Sequence, residues 1–194
     1  MVRSTRLRRR AIAATGMAAV VAAIGAVSYQ ASAAEVAAPA RASDTRAVDI
    51  PFIPSPIKPP PGSRPLGAYL VQSGTQNYTC GATGAYGAST PEAQLIGTGG
   101  RIHHFGGPSW QSERDGSLVT AAKSAEAPSA QAGAIAQLLL KVNGHTGHGI
   151  MDRADYINRL FTSGGLAPAG ACTPGATASV PYRAVYVFWD DPAA

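Results

Sequence analysis

The stretch VPYRAVYVFW, residues 180–189, constrains the fold more than any other part of the chain. In a strand, successive side chains point to opposite faces. Tyr182, Ala184, Tyr186 and Phe188 would then share one face, and Val185, Val187 and Trp189 the other. Both faces of the later half are apolar, which predicts a central strand covered on two sides. Around it, 22 glycines and 15 prolines, with Ser, Thr and Asn, break short apolar runs at intervals typical of all-β proteins. Further strands are expected at Ala68–Gln72, Gln76–Cys80, Gly100–Phe105 and Ser117–Ala121. Two segments stay open between helix and strand. In 132–142, Ile135, Leu138, Leu139 and Val142 suit a helix, whereas LLLKV alone suits a buried strand. In 151–161, Ala154, Ile157 and Phe161 have helical spacing, yet the run ends at Thr162-Ser163-Gly164-Gly165 as a strand would.

The N-terminus reads as an export signal. MVRSTRLRRR is followed by an uncharged Ala/Val/Ile-rich run from Ala11 to Val27 and by Ala31-Ser32-Ala33, small residues where a signal peptidase cuts. That run is short of the roughly 20 apolar residues a spanning helix needs, so residues 1–33 are expected to be removed, leaving no transmembrane segment. Arg9-Arg10 leaves the twin-arginine route open beside ordinary secretion. The chain carries 16 Lys+Arg against 11 Asp+Glu, a net charge of +5. Arg3, Arg6, Arg8, Arg9 and Arg10 lie in the leader, so the mature chain has eleven basic and eleven acidic residues. It lacks the basic surface that neutralises phosphates, and nucleic acid is excluded as a partner.

Two cysteines in an exported chain, Cys80 and Cys172, read as one disulfide. Such a bridge leaves no thiol for catalysis. Residues 34–61 are rich in Ala and Pro and end in PFIPSPIKPPP, an extended, partly disordered tether. Residues 62–191 form the β domain, whose start moves to about 49 if Ile50, Phe52 and Ile53 lie along its surface.

Several short motifs occur in a fixed order: Tyr78-x-Cys80, His104-Phe105-x-Gly107-Pro108-x-Trp110, Asp115-Gly116-Ser117-x-Val119, Ile135-x-x-Leu138-Leu139-Leu140, Thr162-x-Gly164-Gly165-x-Ala167-Pro168, Cys172 and Val180-Pro181-Tyr182-x-Ala184-x-Tyr186-x-Phe188. In this succession the chain resembles, from about Pro51 to Trp189, the secreted bacterial and fungal family catalogued as domain of unknown function 3455. The resemblance implies a secreted, mostly β domain, favours strands for both ambiguous segments and implies no activity. The chain departs from that pattern at Ala136-Gln137, where the family usually has Pro-Trp, and at Tyr86, where it usually has tryptophan.

The four histidines fall in two pairs, His103-His104 and His145-x-x-His148. Adjacent strand residues face opposite ways, so one of the first pair with His145 and His148 would be needed to ligate a divalent metal with an open position. Packing of His104 and solvated loop histidines is the plainer reading, and no cofactor is predicted. No G-x-S-x-G elbow and no H-E-x-x-H helix occurs. A hydrolase would have to assemble His104 with Asp115, Glu113, Ser109 or Ser117, although Asp115-Gly116 is itself a hairpin turn signal.

These readings converge on a single all-β, mostly antiparallel domain, a sandwich or flattened barrel with long loops and one disulfide. The expected function is an extracellular recognition or structural module contacting polysaccharide, lipid or protein, with His104, Trp110, Asp115 and Tyr86 as binding candidates. An extracellular hydrolase or metal-dependent enzyme centred on His104 is the alternative.

Overall fold

The computed structural model describes residues 52–194. The expected export signal and most of the expected tether lie outside the described residues. Eight antiparallel strands follow in chain order: β1 (Arg64–Thr79), β2 (Thr90–Gly97), β3 (Gly100–Phe105), β4 (Ser109–Ser112), β5 (Leu118–Ala127), β6 (Gln137–Thr146), β7 (Tyr156–Gly164) and β8 (Thr177–Asp190). Each pairs with the next, and β8 returns to pair with β1. The sheet is therefore a closed up-and-down barrel, which decides for the barrel over the sandwich of the two arrangements the sequence left open. Closure removes the free edges that a sandwich would have to protect.

The apolar two-faced strand explains why the barrel forms. The inner face of β8 places Tyr182, Ala184, Tyr186 and Phe188 inside, packed with Tyr69, Val71, Leu95, Ile102, Trp110, Val119, Leu140 and Ile157 from the other walls. Its outer face carries Val187 and Trp189 into a second core with Leu139, Leu160, Ile53 and Ile57. Ile53 and Ile57 come from the Pro-rich segment before β1, where Ser55–Ile57 makes one 3-10 turn against the barrel wall. Burying those two side chains stabilises the strap by roughly 1.5–3 kcal/mol each. Asn158, fully buried on β7, fixes the strap by donating to the carbonyls of Ile57 (2.8 Å) and Leu138 (3.1 Å). It also accepts from Trp189 Nε1 at 3.0 Å.

Register breaks bend the long strands around the barrel. β1 shifts register on β2 between Val71 and Ser73, and β7 shifts on β8 between Leu160 and Ser163. Such extra residues increase local twist and let a sheet close. The β7 break puts Phe161 at φ 51, an unusual conformation for a residue other than glycine. Both ambiguous segments contain strands, β6 and β7; the helical spacing of Ile157 and Phe161 does not mark one buried face, because Phe161 lies within the break and is exposed. β2 and β4 were not expected from the sequence. No helix among the described residues is long and apolar enough to cross a membrane.

The eight strands leave two barrel ends. At one lie the β1–β2, β3–β4, β5–β6 and β7–β8 connections. Here the Cys80–Cys172 disulfide, with Cα atoms 5.9 Å apart, joins the first of these loops to the last. Backbone bonds from Cys172 N to Gly84 O (2.9 Å) and from Gly175 N to Cys80 O (2.9 Å) reinforce it.

Candidate functional site

His104 and Trp110 are direct partners in the β3–β4 pairing, joined by the Gly106-Gly107-Pro108 corner. Both side chains point into the barrel, and their rings stack at 4.3 Å with only 5° between planes. Tyr186 meets both edge-on, at 5.1 Å from His104 and 5.8 Å from Trp110. His104 Nδ1 lies 2.8 Å from the Ser109 carbonyl. A carbonyl only accepts, so Nδ1 carries the proton and Nε2 is left as an acceptor. Burial pushes the imidazole down to about 3, against a smaller upward pull from the Ser109 carbonyl. The ring is thus neutral at physiological pH.

Above this stack, at the disulfide-tied end, a cavity of about 180 Å³ opens. Its walls include Gln76 of β1, the Ser89-Thr90-Pro91 entry to β2, Leu138 and Leu140 of β6, and Arg159 of β7. Two of the lining residues carry a buried donor with no partner among the described residues: Gln76 Nε2 and Trp110 Nε1. The Gln76 side chain is 2 % exposed and Trp110 1 %. Gln76 Oε1 is occupied, accepting from Ser89 Oγ at 2.6 Å. Ser63 Oγ and Gln94 Oε1 are also unpartnered but do not line this cavity.

Arg159 adds the positive charge. Its guanidinium donates through Nε (3.1 Å) and Nη2 (2.9 Å) to the Ala136 carbonyl. It has no acidic partner among the described residues. Burial raises the hydroxyl of Tyr186 above its ordinary range, and Arg159 pulls it part of the way back. Tyr182, also raised by burial, lies 3.3 Å from Tyr186 through the two hydroxyls. The Gln76 amide is near enough to Tyr182 to lower it slightly, without a well-formed hydrogen bond.

The structure gathers only two of the four expected binding residues. Asp115 sits in the β4–β5 turn at the opposite barrel end, where it accepts from Ser117 N (3.1 Å), Ser117 Oγ (2.6 Å) and Ile150 N (3.1 Å). These donors, the Ser117 hydroxyl first, hold its carboxyl down at about 2. Tyr86 bridges Cys80 beside the disulfide and meets Tyr78 edge-on at 6.3 Å, without lining the cavity. The histidines are likewise dispersed. His103 faces outward, 2.6 Å from Glu92; His145 lies 3.0 Å from the Ala154 carbonyl and His148 is fully exposed. The trio of His104, His145 and His148 that a metal site would have needed is not assembled, and the described residues contain no group of three potential metal ligands.

Residues 96–190 match DUF3455, a family of proteins of unknown function. No curated protein and no solved structure matches the chain. The DUF3455 match begins at the end of β2 and runs into β8, so it includes His104, Trp110, Arg159 and Tyr186. Gln76 and the Ser89–Pro91 wall precede it, although β1 is needed to close the barrel and the cavity.

Gln76 and Arg159 are the site residues that the sequence reading passed over. Each is a polar residue at an inward position of a strand. Gln76 alternates with Tyr78, and Arg159 with Ile157. A charge in phase with an apolar strand face is the signal that would have found Arg159, had the segment been known to be a strand.

Proposed function

We propose that this domain is an exported recognition module that takes a small molecule into the disulfide-tied mouth of its barrel. The cavity with two orphaned buried donors carries this reading. A buried donor without a partner costs about 1–3 kcal/mol, and small barrels hold single ligands in such mouths. Leaving Gln76 Nε2 and Trp110 Nε1 open is explained by an acceptor that arrives from outside. The paired cysteines and the leader support an oxidising, extracellular setting. Surfaces of polysaccharide, lipid or protein remain the environment in which such a module would work.

Binding accounts for His104 better than hydrolysis does. Its Nδ1 is held by a backbone carbonyl, its basicity is depressed by burial, and Glu113 and Asp115 occupy the hairpin at the other barrel end. The test is thermal denaturation of the disulfide-intact chain with a broad panel of acids, bases, neutral compounds and sugars. A ligand at a hundredfold excess over its Kd should raise Tm by on the order of 5 °C. Filling the cavity through Leu138→Trp should abolish the shift. No shift from any class, or a shift that survives the blocked cavity, would overturn the proposal.

A further inference from the structure

Resting on that reading, we infer that the ligand is a small organic acid, its carboxylate received by Arg159, Gln76 Nε2 and Trp110 Nε1 and its apolar body by Leu138, Leu140 and Pro91. The polar inventory of the cavity is lopsided. Among the described residues it offers a guanidinium with no acidic partner and two lining residues with unsatisfied N–H donors, against one open ring acceptor, His104 Nε2. No carboxylate of the described residues lines it. A cation-binding or sugar-binding site would need acceptors in comparable number, and the acceptor side of Gln76 is already taken by Ser89. A carboxylate supplies two acceptor oxygens and one negative charge, and a charged partner makes such hydrogen bonds about twice as strong.

Size and polarity limit the remainder of the molecule. A cavity of about 180 Å³ is slightly larger than an engineered cavity of roughly 150 Å³ that accommodates benzene. Leu138, Leu140, Pro91 and Pro108 give it apolar sides. A single ring or short aliphatic chain bearing one carboxylate therefore fits, and a long acyl chain or an oligosaccharide does not. Thr90 and Gly107 are exposed on the rim, which leaves the way in open to solvent.

The chain's two tryptophans allow a direct readout. Trp110 lines the cavity and its Nε1 is unpartnered among the described residues, whereas Trp189 Nε1 donates to Asn158 in the outer core. In a proton–nitrogen NMR spectrum of the disulfide-intact chain, benzoate and butyrate should move the indole signal of Trp110 and leave that of Trp189 in place. Benzamide, the neutral counterpart of benzoate, should bind about tenfold or more weakly. Arg159→Gln should weaken benzoate by about tenfold to a hundredfold, and Arg159→Lys should keep the preference for acid over amide. An unchanged Trp189 signal confirms that each variant is folded. Equal affinity for benzoate and benzamide, or no loss in Arg159→Gln, would overturn the acid inference while leaving a ligand-binding cavity. Silence from both acids, with a different class raising Tm through the same cavity, would overturn it equally; silence from every class would remove the underlying reading as well.

Discussion

The two ends of the barrel hold cavities of nearly equal size and opposite chemistry. The one at the disulfide end measures about 180 Å³ and the one at the other end about 170 Å³. The second is walled by Leu66, Tyr69, Ile150, Met151 and Phe188 and lined by no orphaned polar atom. Its floor is the β6–β7 connection, clasped by Asp115 and Ser117. Asp115 accepts from Ile150 N, and Ser117 Oγ accepts from Met151 N at 3.3 Å while donating to Asp115. Gly149 allows that closeness, since a Cβ there would stand 2.3 Å from the Asp115 carboxyl carbon. At this end the polar groups of the clasp are paired with one another, and Tyr69 and Thr98 are the polar side chains on the cavity wall. At the disulfide end the loops are braced from outside by a covalent bond, and polar groups inside are left open. On the proposed reading, stability and recognition are separated along the barrel axis.

The largest test of that separation removes the brace. The bridge spans 92 residues of sequence, and closing a loop of that length is worth roughly 4–5 kcal/mol in the chain-entropy model. Cys80→Ser with Cys172→Ser should lower unfolding free energy by that order, measured by denaturant titration. Hydrogen exchange should quicken in the β1–β2 and β7–β8 loops ahead of the Asp115 clasp. Equal acceleration at both ends would mean that the disulfide stabilises the barrel globally and does not brace the mouth.

His104 gives the next effect, and it depends on pH. Its pKa is about 3 in the folded chain and 6.5 in the unfolded one. Between those values the unfolded chain binds a proton that the folded chain refuses. Stability is therefore full above about pH 6.5 and falls as the pH drops toward 3, by about 1.4 kcal/mol per pH unit. His104→Gln should flatten this limb in denaturation midpoints taken from pH 7 to pH 4. Parallel profiles for the two proteins would show that the imidazole is accessible to protons and not sealed beneath the cavity.

The same contrast explains what was legible in the sequence. VPYRAVYVFW announced a strand needing cover on both faces, and the structure supplies the barrel interior on one side and Ile53 and Ile57 on the other. Cys80 and Cys172 were readable because the chain offers only one pairing. The sequence marked His104 and Trp110 as candidates on either side of a Gly-Gly-Pro corner, but not that their rings stack inside the barrel. Closure was not readable, because whether β8 pairs with β1 depends on register breaks such as Val71/Ser73, which leave no motif. Asp115 looked like a site residue because a carboxylate beside a turn has the same sequence whether it meets a substrate or two backbone amides. Gln76 and Arg159 come from β1 and β7, far apart in the chain, and only the closed barrel puts them on one cavity.

At the end clasped by Asp115, Ser117→Ala is the third test. Ser117 is 1 % exposed, and its hydroxyl serves both Asp115 and Met151 N. Removing it strands a buried amide, a loss of about 1–3 kcal/mol. Ligand binding at the far mouth should be unchanged, as measured by the Trp110 indole signal. A mutant of wild-type stability would mean that water reaches Met151 N.

The smallest effect has the opposite sign. Gln76→Met keeps a side chain of similar length and removes the orphaned amide, leaving only the half-buried Ser89 hydroxyl to find water instead. Replacing an unsatisfied buried polar group by an apolar one of like shape is neutral or favourable, so the variant should gain about 0.5–1 kcal/mol while its affinity for a carboxylate falls. A gain in stability coupled to a loss of binding is the mark of a residue retained for function at the expense of the fold. A loss of stability instead would mean that the Gln76 amide is satisfied in the ligand-free protein, and the two barrel ends would then differ only in size and bracing.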